Sequence, residues 1–290
     1  LGVSSGDSSQ NCRFMVKVQF NAWEFDMPER WEECSLEQIA KLSPLIHWKV
    51  EDITETEQEY AVFILLGCSP QFWKELTLEV QQYQALVKIA RFAFEQKIVE
   101  RPFAEFKHQG ITYYVFEESF ANSDAVDVAW ANMQYLAFAN PEEPNLDALD
   151  ELLATLCRPA RNDLHEFQQS KDWDGDIREP YNGQRVKARA KEFKSLDIGI
   201  KIALLQYFES QNTLFLESYA NMMGDDGRAP RYENGMGWVT MLMSVAEKGT
   251  FGNFEAVCHQ NVHLVWTKCL DDTLEAKEQE RLMEAQRLKS

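Results

Sequence analysis

The chain has 290 residues, of which 45% are apolar and 12% aromatic, so it holds one large domain or two ordinary ones and has material for a core. A formal net charge of −18 argues against nucleic acid or anionic lipid as partners, because both require clustered Lys and Arg. No apolar run approaches the ~18–20 residues of a membrane span, and the opening LGVSSGDSSQN has neither the basic start nor the apolar centre of a signal peptide.

Residues 1–11 are polar and are expected to form a disordered N-terminus. Phe14, Val16, Val18 and Phe20 then alternate with Met15, Lys17 and Gln19, the period of a half-buried strand. Asn21 and Ala22 form a tight turn into a second short strand at Trp23, Glu24 and Phe25. Ser35 and Gln38 have the spacing of a capping box at the start of a short helix that ends before Pro44. The pattern Pro-x-x-Trp-x-Glu-x-[Ser/Thr]-Leu-Glu that begins at Pro28 returns at Pro70, so both copies are expected at helix starts, either by convergent capping or by duplication. Between them, Glu51, Asp52, Glu55, Glu57 and Glu59 read as an acidic loop leading into a buried strand over residues 60–66, closed by Gly67.

A long helix is predicted over residues 77–96, and His108, Gln109 and Gly110 mark the turn of a second hairpin. The two hairpins are expected to pair into one small antiparallel sheet, since a lone hairpin is marginal. Helices follow over residues 123–139 and 145–157, separated by Pro141 and Pro144. Residues 161–183 carry Asp, Asn, Gly and Pro with little periodicity and read as a linker or long loop. Beyond it, Arg185, Lys187, Arg189, Lys191 and Lys194 lie on a helix as a solvated basic face or a docking site for an acidic partner. A long helix over residues 197–223 closes at the Gly224-Asp225-Asp226-Gly227 corner. Then come two helices packed back to back: Met236, Val239, Met243 and Ala246 line the first, and Phe254, Cys258, Val262, Val265 and Cys269 the second, with Gly249 and Gly252 at the corner. Residues 271–290 form a charged C-terminal helix without a full heptad seam.

Few groupings carry chemistry. His259 and His263 stand four apart, the spacing for a shared metal, with Glu255 one turn earlier, but Gln260 occupies the place of the general-base Glu in the HExxH motif. The pair reads as ordinary, partly exposed histidines. Asp172, Asp174 and Asp176 resemble half a calcium loop, yet Gly175 comes early and no bidentate Glu follows. Cys12, Cys34, Cys68, Cys157, Cys258 and Cys269 show no CxxC pair and read as buried thiols in a reducing compartment. Neither a phosphate-binding loop, a dinucleotide fingerprint nor a nucleophile elbow is present. No catalytic, cofactor-binding or metal residues are assigned.

The order of features resembles accessory proteins from the tail region of tailed bacteriophages and prophages. The likeness rests on the Pro28-x-x-Trp31-x-Glu33 unit with Ser35 to Gln38, the second hairpin, the helix closing in Leu156-Cys157-Arg158-Pro159, the Tyr207-Phe208 helix, and the hairpin from Gly237-Trp238 to Val265-Trp266. It implies a nonenzymatic, tail assembly chaperone-like role in the bacterial host cytoplasm, binding another protein such as a phage tail component. A structural virion component, a small connector or tail subunit, is the alternative, and an enzyme with an unrecognised site the next. The expected fold is mainly α with a small antiparallel β component in the N-terminal half and a helical C-terminal half. The expected divisions are 12–160 (α+β), 161–183 (linker), 184–270 (helical) and 271–290 (tail helix).

Overall fold

The computed structural model describes residues 15–20, 22–47, 52–171, 173–220, 222, 232 and 235–288. The expected disordered segment 1–11, Cys12, Phe14, Asn21, Glu51, Asp172 and the corner at residues 224–227 lie outside them. The protein is mainly α, with two separate two-stranded antiparallel sheets. It divides into two compact units: residues 1–97 with Ile198–Ile200, and residues 98–197 with 201–290. The segment 161–183 falls within the second unit.

In the first unit, β1 (Val16–Phe20) pairs with β2 (Trp23–Met27) in a register that sets Phe20 opposite Trp23. A 3-10 turn at Trp31–Glu33 precedes α1 (Leu36–Leu42), where Ser35 and Gln38 form the capping box. Trp31 is buried, donates from Nε1 to the Gln96 carbonyl at 2.8 Å, and meets Phe92 edge-on. Residues 60–66 are helical, the end of α2 (Glu55–Leu66), and not a strand. Glu55 and Glu57, read as part of a loop, lie in this helix's first turn: Thr54 and Glu57 form a capping box, and anionic side chains suit the positive end of the helix dipole. Its apolar end is buried all round through Ala61, Val62, Leu65 and Leu66, which is why no alternation or stripe marked it.

The second copy of the Pro-x-x-Trp pattern folds differently from the first. Pro70 is the first residue of α3 (Pro70–Glu75), capped by Ser69, and the next helix, α4 (Val80–Ala90), is capped by Glu79 with Gln82, not by Thr77. The predicted helix over 77–96 therefore starts three residues later and is interrupted at Arg91 before α5 (Phe92–Glu95).

In the second unit, β3 (Glu105–His108) and β4 (Ile111–Tyr114) are joined by Gln109 and Gly110, both at positive φ. The two hairpins do not share a sheet; each stays two-stranded, and β3–β4 packs against Phe193 through Phe106, tilted, and Tyr113, edge-on. Helix α6 (Ala125–Phe138) follows Asp124, and α7 (Leu146–Leu156) is capped by Asn145. The segment 161–183 carries a short helix, α8 (Leu164–Gln168), and is anchored by buried Arg178. Helix α9 (Gly183–Phe193) leads to α10 (Ile198–Ser218), of which Phe208 and Phe215 are buried. Helix α11 (Met236–Glu247) turns through Gly249 and Gly252, both at positive φ, into α12 (Phe254–Cys258). The expected single second helix is broken here, and α13 (Val262–Arg287) begins anew, running on into the predicted tail helix.

Candidate functional site

The break between α12 and α13 decides the fate of the histidine pair. Asn261 caps α13 through its side chain, while Ala125 N donates to Gln260 O at 2.8 Å and Val262 N to Ser123 O at 3.0 Å, so the junction is tied to the start of α6. His259 and His263 consequently occupy no common helix. His259 Nδ1 lies 3.0 Å from Asp124 Oδ2, whereas His263 sits between the Tyr219 hydroxyl at 3.0 Å and the Ser119 carbonyl at 2.7 Å. Burial pushes Asp124 up to about 6, and the hydrogen bond to Asp124 raises His259 above its ordinary value. Among the described residues, no group of three or more His, Cys, Asp or Glu is placed to hold a metal ion.

The acidic loop serves a buried ionic core. Arg158, which closes α7, makes two 2.8 Å bonds to the carboxylate of Asp127 and a 3.3 Å bond to Asp176. Arg178 donates to Asp176 Oδ1 at 2.8 Å and to the carbonyls of Leu156 and Asn122. Asp174 accepts from the Asp176 amide, so the two described aspartates of the presumed half-loop are turned toward backbone and arginine partners. The basic face on α9 is only partly solvated: Arg189 is buried and bonded to Glu179 and the Ala154 carbonyl, Arg185 pairs with Glu179 and Lys194 with Asp147, while Lys187 and Lys191 are exposed. The five described cysteines are buried; burial pushes Cys157 up to about 12 and Cys269 up to about 11, which makes these two poor nucleophiles.

The second unit also carries an open aromatic cleft of about 520 Å³. Trp238 of α11 and Trp266 of α13 stack as one wall, with centroids 5.0 Å apart and planes at 21°. Tyr135 and Leu136 of α6, Leu216 of α10 and Met241 of α11 complete the apolar lining. Asn132 and Asn212 are exchanged across the floor in a reciprocal amide pair at 3.1 and 2.9 Å. Tyr135 gives its hydroxyl proton to Glu209 at 3.0 Å, and burial beside that carboxylate pushes it up to about 12. Trp266 is fully buried, and its Nε1–H has no hydrogen-bond partner among the described residues. Gly235 lets α11 approach α6: its φ is +77°, and a Cβ there would lie 3.1 Å from both Met133 Cγ and Leu136 Cδ1.

The described lining of this cleft is aromatic and aliphatic side chains with two amides. Gly235, Gly237, Trp238 and Trp266 belong to the packed hairpin, but no spacing among them marks a cleft. Asn132, Tyr135 and Asn212 carry no local signal, because they become a site only when α6 meets α10. The first unit has its own aromatic surface, in which Trp23, 61% exposed, packs edge-on against Phe72 at 5.7 Å. No family model, curated protein or solved structure matches the chain. No described helix is long and apolar enough to cross a membrane.

Proposed function

We propose that the chain is a nonenzymatic phage or prophage morphogenesis protein, tail assembly chaperone-like, that holds an apolar segment of another protein in the cleft of its second unit. The observation that carries this reading is the cleft itself, an open aromatic and aliphatic trough of about 520 Å³ floored by amides. Grooves of that character receive the apolar face of an amphipathic helix, whose anchors recur at i, i+3 or i+4 and i+7. Half-buried Trp238 offers an aromatic face to that segment, and tryptophan is among the side chains enriched where binding energy concentrates at protein interfaces. The phage setting and the bacterial cytoplasm come from the likeness in motif order, and the net charge of −18 suits a client with basic flanks.

The test is native mass spectrometry of the protein recovered from its own source, with copurifying chains identified, repeated with Leu216→Glu, which puts a charge in the cleft lining. A stoichiometric complex with one other protein that Leu216→Glu abolishes supports the assembly-factor reading. A homogeneous ring or particle of this chain alone overturns it in favour of a structural virion component.

A further inference from the structure

A second cavity of the same unit carries a different chemistry from the aromatic cleft. It encloses about 540 Å³, within the roughly 300–1,000 Å³ of small-molecule sites. Trp130 and Gln134 reach it from α6, Glu151 from α7, Tyr181 from the residues before α9, and Gln184 and Lys187 from α9 itself. A Cβ on Gly183 would lie 3.6 Å from the Tyr181 hydroxyl oxygen, which places that hydroxyl over the first turn of α9. Hydrogen bonds within the protein use only some of these groups. Gln134 Nε2 donates to Glu151 Oε2 at 2.9 Å, and Asn182 caps α9 by accepting from the amides of Gln184 and Arg185 at 3.0 Å each. Among the described residues, no hydrogen bond or ion pair engages the Tyr181 hydroxyl, Trp130 Nε1, the Gln184 side-chain amide or Lys187 Nζ. Burial raises Tyr181 above its ordinary value, as do the nearby charges of Asp127 and Glu151, so its hydroxyl keeps its proton and stays a donor.

The groups left over are balanced in kind and in charge. The hydroxyl and the amide each donate and accept, while Glu151 and Lys187 carry opposite charges and do not pair with each other. An anion would meet Glu151, and a cation would meet Lys187. An apolar segment would take these groups out of water and return no hydrogen bond. A neutral molecule with several hydroxyls avoids all three costs, because every hydroxyl both donates and accepts. Its C–H groups, made slightly positive by the adjoining oxygens, suit the electron-rich faces of Trp130 and Tyr181. We propose that this cavity binds a neutral sugar through one pyranose ring, resting on Trp130 and Tyr181 and hydrogen-bonded to Tyr181, Gln184 and Glu151. The site goes beyond the proposed function and does not depend on it, since none of its side chains lines the aromatic cleft.

Saturation-transfer difference NMR of the full chain with D-glucose, D-galactose, D-mannose and N-acetyl-D-glucosamine, each at ~10 mM, reads it. The expected result is transfer to the ring protons of at least one of the four. The dissociation constant should be on the order of 1 mM, because each bond to the sugar replaces one to water. Tyr181→Phe removes an oxygen that no described residue bonds, and it weakens binding by about tenfold. Gln184→Ala, at an exposed position, weakens it by about threefold, with thermal unfolding unchanged in both variants. Leu216→Glu in the aromatic cleft leaves the sugar bound as before. Absence of transfer to all four sugars, binding indifferent to both Tyr181→Phe and Gln184→Ala, or binding lost with Leu216→Glu overturns the proposal.

Discussion

Gly235→Ala tests whether α11 is seated on α6 as the cleft requires. The substitution carries two separable costs. An L-residue at φ +77° loses about 1–2 kcal/mol to the clash between Cβ and the backbone. The new methyl would also stand 3.1 Å from Met133 Cγ and Leu136 Cδ1 and 3.3 Å from the Met133 α carbon. The side-chain ends can yield but the α carbon of a helix cannot, so overpacking adds about 1–3 kcal/mol. Gly249→Ala separates the two, since Gly249 has φ +71° with nothing within 4 Å of its Cβ position. Urea unfolding followed by tryptophan fluorescence should show Gly249→Ala losing about 1–2 kcal/mol and Gly235→Ala about 2–5 kcal/mol. Equal losses would mean that α11 does not approach α6 this closely, and the cleft would go with it.

Arg158→Met leaves Asp127 buried without its bidentate partner, and it should cost about 3–5 kcal/mol in the same urea measurement. Asp124 and His259 make stability fall as pH rises, Asp124 because burial penalises its charged form and His259 because its hydrogen bond to Asp124 favours the protonated ring. Both groups have folded values above their unfolded ones, so their contribution is complete in acid and fades as pH passes about 6 for Asp124 and then the raised value of His259. Thermal unfolding between pH 5 and 8 should show this slope in the wild type and a flatter one in Asp124→Asn/His259→Asn. Thiol labelling under native conditions, read peptide by peptide, should leave Cys157 unmodified until the second unit unfolds, because the side chain is fully buried and pushed up to about 12.

Local chemistry was the legible part of this fold. Ser35 with Gln38, Asn145, and the Gln109-Gly110 turn are complete within a few residues, and each forms where its spacing predicts. The segment 60–66 failed for a stated reason: seven apolar residues fit a buried strand by length, and the decisive signal lay upstream in Thr54 and Glu57, which start a helix that carries the run with it. The single helix expected from Phe254 to Cys269 failed through a cap, Asn261, which divides it between His259 and His263. Both misses had a readable signal. The cleft did not, because Tyr135, Leu216, Trp238 and Trp266 come from four helices and their contact is a property of packing.

The charge of the chain has a sharper consequence once the ionic core is known. Arg158 and Arg178 are buried against Asp127 and Asp176, Arg189 against Glu179, and Lys201 against Asp150 at 2.6 Å. These cations and anions cancel one for one, so the core removes nothing from the net −18, and that charge rests on the rest of the chain. On the proposed function, a client with basic residues around its apolar face would be drawn in over a distance set by the Debye length, about 8–10 Å near physiological salt. The association rate for the client that copurifies should fall by roughly tenfold or more between low and high salt, while Leu216→Glu in the cleft should act on the dissociation rate. Stopped-flow measurements across a sodium chloride series separate the two. An association rate that does not change with salt would show that the acidic surface has no part in recruitment, leaving the aromatic cleft as the whole of the recognition.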